Sequence, residues 1–348
     1  MENIKVLIWG FGEMGSGMAK MLLKKKGVDI VGVCDSDPNK VSKSIYEVLD
    51  VKQGDNPEVI IKDDIELIIE ETEADVALIA TDSFVKKAYD KIVLCLKNKL
   101  NVISTAEEMA YPQAQSPELA QKLDDIAKKN NVSLLGTGIN PGLIMDLLVI
   151  LLTGACESVD NIKVERINNL SPFGPAVMEE QGVGKTAEEF KEGVENNTIS
   201  GHVGFAESIK MITDALGWKS ENPIKQKITP IISNVDRNAP NISVKAGEVA
   251  GVRMEACDIV NDQKRIEMIH PQQVEPQEEN VETGDYIYIN GNPDIKMSIK
   301  PEVPGGIGTV AMCVNMIPQI INADAGLKTM IDLPVPRAIM GDMRELIK

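Results

Sequence analysis

The chain opens with an apolar strand, Ile4 to Ile8, that runs directly into a glycine turn, and Ser16 to Lys26 then follows with helical character. Ile30 to Val33 reads as a second strand. Ile65 to Ile69 and Val76 to Ala80 bracket a Glu-rich turn, and the latter has the unbroken apolar character of a buried parallel strand. Phe84 to Lys97 places Val85, Ala88, Ile92, Val93 and Leu96 on one helical face, and Asn101 to Thr105 reads as the next strand. A polar helix from about Pro117 to Lys129 leads to a strand at Val132 to Leu135. This alternation predicts an α/β fold with a Rossmann-type doubly wound parallel sheet over residues 1–141.

From Gly142 the pattern changes. A Leu- and Ile-rich helix to Leu152 precedes Asn161 to Asn168, which alternates like a half-buried strand. Gly251 to Ile259, Gln263 to Met268, Asp285 to Asn290 and Ile295 to Ile299 also read as strands, with a helix at Gly201 to Leu216 before them. A second α+β domain with a mixed sheet is expected over residues 142–305. An apolar helix, Gly308 to Ile321, lies in a C-terminal segment, 306–348, expected to return to the first domain.

Composition narrows the function. A net charge of -17 argues against a nucleic-acid partner, because phosphate backbones are bound by basic side chains. The Leu143 to Leu152 run is too short to span a bilayer and contains Asp146, and no signal segment precedes the first strand, so a cytoplasmic protein without a membrane segment is expected. Five scattered cysteines form no C-x-x-C pair, and two histidines supply no H-E-x-x-H pattern, so reduced core thiols and a metal-free mechanism are expected.

The opening motif is Gly10-Phe11-Gly12-Glu13-Met14-Gly15, a dinucleotide-binding turn in its strand–turn–helix context. Gly10 permits the tight turn, Gly12 lets the backbone approach a pyrophosphate, and Gly15 lets helix and strand pack closely. Asp35 ends the second strand twenty positions after Gly15 and is placed to accept from the ribose hydroxyls of adenosine. That carboxylate favours NAD; Ser36 and Lys40 keep NADP open as a second choice. Thr81, Asp82, Ser83 and Thr105 fall at carboxyl ends of parallel strands, where a cofactor is lined. Gly182-Val183-Gly184-Lys185-Thr186 imitates the end of a P-loop, but Glu179 stands where the first glycine is required and no apolar strand precedes it.

Glu107 and Glu108 follow Ser104-Thr105 on the same side of the sheet, where one of them is a candidate general acid/base and both equally suit a helix start. Gly136 to Gly142 reads as a helix opening whose N–H groups suit a carboxylate, with Asn140 as cap or ligand contact and Pro141 at the first helical position. Arg166, Asn168 and Asn169 end a strand of the second domain and are candidates to project into an interdomain cleft, where Arg166 either clamps a carboxylate in bidentate fashion or, as is commoner for an arginine, lies at the surface. His202 and His270 are further candidates for substrate contact, each equally suited to a structural role.

Taken together, Gly10 to Gly15, Ser104-Thr105-Ala106-Glu107-Glu108 followed by Tyr111-Pro112, Gly138 to Gly142, and Gly201-His202-Val203-Gly204 with Glu207-Ser208 resemble the 2,4-diaminopentanoate dehydrogenase family. That family is related to native amine dehydrogenases and, more distantly, to dihydrodipicolinate reductases, whose basic, histidine-rich catalytic segment is missing here. The resemblance covers the whole chain. It implies oxidation of 2,4-diaminopentanoate to 2-amino-4-oxopentanoate and ammonia, a step of ornithine fermentation, with Glu108 activating water, Glu107 as its alternate, and Arg166, Asn168, His202 and His270 shaping the substrate site. A homodimer is expected by analogy between folds. Two alternatives stand beside this reading: a reductase of a cyclic imine or semialdehyde, and an NAD-sensing protein without turnover.

Overall fold

The computed structural model describes residues 2–220 and 223–348. They form two compact units: residues 1–143 with 305–348, and residues 144–304.

The first pass through unit 1 runs β1 (Ile4–Trp9), α1 (Glu13–Leu22), β2 (Val28–Cys34), α2 (Ile45–Leu49), β3 (Ile61–Lys62), α3 (Ile65–Glu71), β4 (Val76–Ile79), α4 (Val85–Lys97), β5 (Asn101–Ser104), α5 (Pro117–Asn130) and β6 (Ser133–Gly136). Local chemistry sets several of these boundaries. Asp64 caps α3 by accepting from the Leu67 N–H at 3.1 Å. Pro117 sits in the first turn of α5, and Asn131 ends it in the left-handed region at φ 57°.

Unit 2 follows with α6 (Leu147–Thr153), β7 (Ser158–Asn169), α7 (Pro175–Glu180), α8 (Ala187–Glu195), α9 (Phe205–Ala215), β8 (Lys225–Ile232), β9 (Arg237–Ala239), β10 (Ile242–Val244), β11 (Val249–Val260), β12 (Gln263–Gln273), β13 (Gly284–Asn292) and β14 (Ile295–Ile299). Its main sheet has the order β14-β13-β7-β12-β11-β8, in which only β7 and β12 run parallel. This is the expected mixed sheet, with β8 added to the strands read from the sequence; β9 and β10 form a separate two-stranded sheet.

The chain then returns to unit 1 as α10 (Gly305–Asn315), α11 (Ile317–Ile321) and β15 (Gly326–Lys328). The apolar stretch read as one helix is two, because Pro318 has no N–H to continue the ladder beyond Asn315. The unit 1 sheet is wholly parallel, in the order β15-β6-β5-β4-β1-β2-β3. One face packs Leu7, Ala77, Ile79, Val102 and Leu134 against Ile92 and Leu96 of α4 and Leu123 and Ala127 of α5. Burial of each such side chain contributes about 1.5–3 kcal/mol. A doubly wound sheet of this kind presents ligand-binding loops at the carboxyl ends of its strands. Among the described residues no helix is long and apolar enough to cross a membrane.

Candidate active site

The turn after β1 is built by its glycines. Gly10 has φ +94°, and a Cβ there would lie 2.6 Å from the Ala80 carbonyl oxygen. A Cβ on Gly15 would come within 1.9 Å of the Gly10 oxygen, so α1 meets the strand only because that side chain is missing. Gly12 differs: nothing lies within 4 Å of its would-be Cβ, and it begins α1 with no side-chain cap. An open approach to uncapped first-turn N–H groups is what a pyrophosphate requires.

Asp35, at the end of β2, accepts from the Phe11 N–H through Oδ2 and from the Asp37 N–H through Oδ1 at 2.8 Å. These bonds fix the carboxylate beside the glycine turn, so the residues present fit an adenine dinucleotide. Phe11 is buried, Glu13 and Ser36 are exposed, and Met14 is half-buried beside Gly306 of α10. Lys40 donates to the Phe11 carbonyl at 3.0 Å.

At the end of β4, the Thr81 hydroxyl donates to Asp82 at 2.7 Å, and Lys91 donates to Thr81 at 2.9 Å while pairing with Asp82. Burial alone would raise Asp82, but Lys91 and Thr81 overcome it and hold the carboxyl below its ordinary range. The Ser83 carbonyl accepts from the Glu108 N–H at 3.2 Å, and Glu108 Oε2 accepts from the Val85 N–H at 2.8 Å. Glu108 is therefore tied to the β4–α4 loop by backbone and side chain. Glu107 and Glu108 open a short 3-10 turn after β5, both half-buried, and Thr105 N donates to the Ile79 carbonyl at 3.0 Å.

The loop after β6 corrects one expectation. No helix starts at Pro141: Gly142 has φ +126°, outside helical space, and α6 begins at Leu147, where Asp146 accepts the Leu147 N–H at 2.6 Å. Asn140 is buried in this loop and does not cap α6. Thr309 of α10 accepts from the Ile139 N–H at 3.2 Å.

In unit 2, Arg166, Asn168, His270 and Gln272 share one face of β7 and β12. Arg166 is buried, pairs with Asp285 on β13 and donates to the Val303 carbonyl at 2.7 Å. Both terminal guanidinium nitrogens are thus engaged within the unit. The carboxylate that the guanidinium holds in the structure is that of Asp285. Burial pushes the Asp285 carboxyl up, and Arg166 pulls against that rise. His270 Nδ1 lies 2.7 Å from the Arg166 carbonyl, and its ring meets that of His202 edge-on at 5.1 Å. His202 precedes α9 instead of starting it, because Gly204, at φ +120°, holds the chain out of helix until Phe205. Asn169 N donates to Glu302 at 3.2 Å.

Gln181 and Gln272, absent from the sequence reading, lie in the same buried region, with Gln181 Nε2 donating to Gln272 Oε1 at 3.4 Å. No motif spacing marks them. Among the described residues, no group of three or more His, Cys, Asp or Glu side chains is arranged to hold a metal ion. Cys34, Cys95 and Cys313 are buried free thiols, and burial pushes Cys34 up to about 11 and the other two to about 12.

Comparison with known proteins agrees with this geometry. Residues 4–137 match the oxidoreductase family with an NAD-binding Rossmann fold, and residues 143–348 match the 2,4-diaminopentanoate dehydrogenase C-terminal domain. The chain is 60% identical over 347 residues to the 2,4-diaminopentanoate dehydrogenase of Acetoanaerobium sticklandii, covering 100% of this chain and 98% of that one. An amine dehydrogenase of Streptomyces virginiae is 23% identical over 365 residues, covering 97% and 98% of the two chains. The structure of an amine dehydrogenase from Mycobacterium smegmatis superposes with a TM-score of 0.87 at 28% identity, covering 98% of each chain. With a glycine turn built for a dinucleotide and these matches end to end, the chain belongs to the 2,4-diaminopentanoate dehydrogenase family and is an NAD(P)-dependent dehydrogenase.

Proposed function

We propose that this enzyme oxidatively deaminates 2,4-diaminopentanoate to 2-amino-4-oxopentanoate and ammonia, reducing one NAD(P) per turnover. The observation that carries the reading is the 60% identity, nearly end to end, with the A. sticklandii enzyme of that name. Gly10, Gly12 and Gly15 with the first turn of α1 hold the pyrophosphate, and Asp35 holds the adenosine ribose, which favours NAD over NADP. Bound NAD supplies the acceptor for the hydride that leaves C4 of the substrate. The chain supplies the rest.

Once the C4 ammonium has given its proton to solvent, loss of hydride from the neutral amine leaves an iminium at C4 of the substrate. Glu108 takes a proton from the water that adds to it, returns that proton to the amine of the resulting carbinolamine, and takes up the hydroxyl proton as ammonia leaves, so that a ketone remains. The Val85 N–H anchors one oxygen of this carboxylate, leaving the other for proton transfer. Glu107 is the alternate base. His202, His270 and Asn168 contact the substrate, and Arg166 positions them. The enzyme acts in the cytoplasm as a homodimer, a state that light scattering at micromolar concentration tests directly.

The deciding experiment follows absorbance at 340 nm and ammonia together, with 2,4-diaminopentanoate and each oxidised cofactor in turn. Equal amounts of reduced cofactor and ammonia are expected, faster with NAD. Reduction of cofactor without ammonia would move the assignment to a non-deaminating oxidoreductase.

A further inference from the structure

Three amide side chains in unit 2 bury polar atoms that have no hydrogen-bond partner among the described residues: Asn168 Oδ1, Gln181 Oε1 and Gln272 Nε2. The residues are 5%, 4% and 4% exposed. Asn168 and Gln272 are register partners on the parallel strands β7 and β12, so their side chains stand side by side on one sheet face. Gln181 closes α7 and reaches Gln272 across 3.4 Å. Gln273, next in sequence, is engaged elsewhere, its Oε1 accepting from Arg237 at 2.8 Å.

Interiors rarely leave such groups unmet, since each keeps its full desolvation cost. As the three amides are oriented, the unmet set is two acceptors and one donor. A ligand that answers it carries a cationic N–H donor next to an anionic oxygen. We propose that Asn168, Gln181 and Gln272 form the specificity site for a zwitterionic α-amino-acid head, with the α-ammonium donating to Asn168 Oδ1 and Gln181 Oε1 and the α-carboxylate accepting from Gln272 Nε2. This rests on the proposed substrate, whose C1–C2 end is such a head, and it gives the carboxylate a donor in place of the Arg166 guanidinium, which Asp285 already holds.

The test separates the head from the reacting amine. 2-Aminopentanoate has the head and no amine at C4, so its binding to the full-length enzyme with NADH can be measured by calorimetry without turnover. The wild-type enzyme should bind it, and Gln272→Glu, nearly isosteric and lacking the donor, should weaken binding by at least about tenfold, as should Gln181→Leu, because hydrogen bonds to charged groups are worth that much. The KM for 2,4-diaminopentanoate should rise in step in both variants. If 2-aminopentanoate fails to bind the wild-type enzyme, or binds Gln272→Glu equally well, the three amides hold only water and the proposal falls. Should Gln181→Leu fail to fold, Gln272→Glu alone decides. Wild-type enzyme that binds 2-aminopentanoate yet leaves 2,4-diaminopentanoate unoxidised would sink the proposed reaction and leave this site standing.

Discussion

His270 shows how one contact fixes a protonation state. Its Nδ1 faces the Arg166 carbonyl at 2.7 Å, and a carbonyl only accepts, so Nδ1 carries the proton and Nε2 is a bare acceptor. Burial, reinforced by His202 and Arg166, holds the imidazole well below its ordinary value. The unfolded chain therefore takes up a proton at this residue near pH 6.5 that the folded chain refuses. With the folded value depressed, the neutral side chain costs nothing above about pH 6.5, and stability is lost as pH falls below it, by about 1.4 kcal/mol per pH unit until the folded value is reached. His270→Asn keeps an N–H for the Arg166 carbonyl and cannot titrate. Chemical denaturation between about pH 5 and 8 should show a shallower acid decline in that variant, by up to the same slope. Parallel declines in the two proteins would mean that His270 does not titrate on unfolding.

At the scale of elements, α4 begins at Val85 after Phe84, which offers no side-chain cap, and Glu108 from the next strand end supplies the missing acceptor. One carboxylate thus closes a helix and stands as the candidate base. The two roles separate by substitution. Glu108→Gln retains an acceptor for Val85 N–H and should melt within about 0.5 kcal/mol of the parent, whereas Glu108→Ala should lose about 1 kcal/mol, as uncapped helices do. Turnover should fall by about two to four orders of magnitude in both, with NADH affinity kept. Full turnover in Glu108→Gln would pass the role to Glu107. The same scale shows what a sequence can reveal. In unit 1, β1, β2, β4, β5 and β6 were legible because each carries a largely apolar run leading to a glycine, threonine or carboxylate, and α4 carries a clear apolar stripe; α2, β3 and β15 were not, since they span only five, two and three residues. Residues 225–244 were not, since Lys225, Gln226 and Lys227 are exposed at a sheet edge and the β9–β10 strands span three residues each. The glycine turn with Asp35 could be read because its chemistry is local. Gln181 and Gln272, 91 positions apart, meet only through the sheet, and no spacing rule connects them.

For the whole molecule, the sequence carries every dinucleotide motif within its first 143 residues, yet unit 1 is closed by residues 305–348. Val310 of α10 packs at Gly17 of α1, where a Cβ would come within 2.7 Å of it. β15 extends the sheet beyond β6, and the Leu327 N–H donates to Asp124 of α5 at 3.0 Å. Lys25 donates to the Ile339 carbonyl at 2.6 Å, and the Ser133 hydroxyl donates to the Ile320 carbonyl. Val314, Met316, Ile317 and Ile320 are completely buried. At about 1.5–3 kcal/mol each, these four side chains alone contribute roughly 6–12 kcal/mol, comparable with the whole net stability of a domain at about 5–15 kcal/mol. Deleting residues 305–348 should therefore abolish NADH binding and the cooperative melting of unit 1, although Gly10, Gly12, Gly15, Asp35 and Glu108 all remain. Fluorescence titration with NADH and calorimetry of the truncated chain would check this. Undiminished affinity would mean that the first 143 residues fold alone, and that the returning segment serves some purpose other than completing the cofactor-binding core.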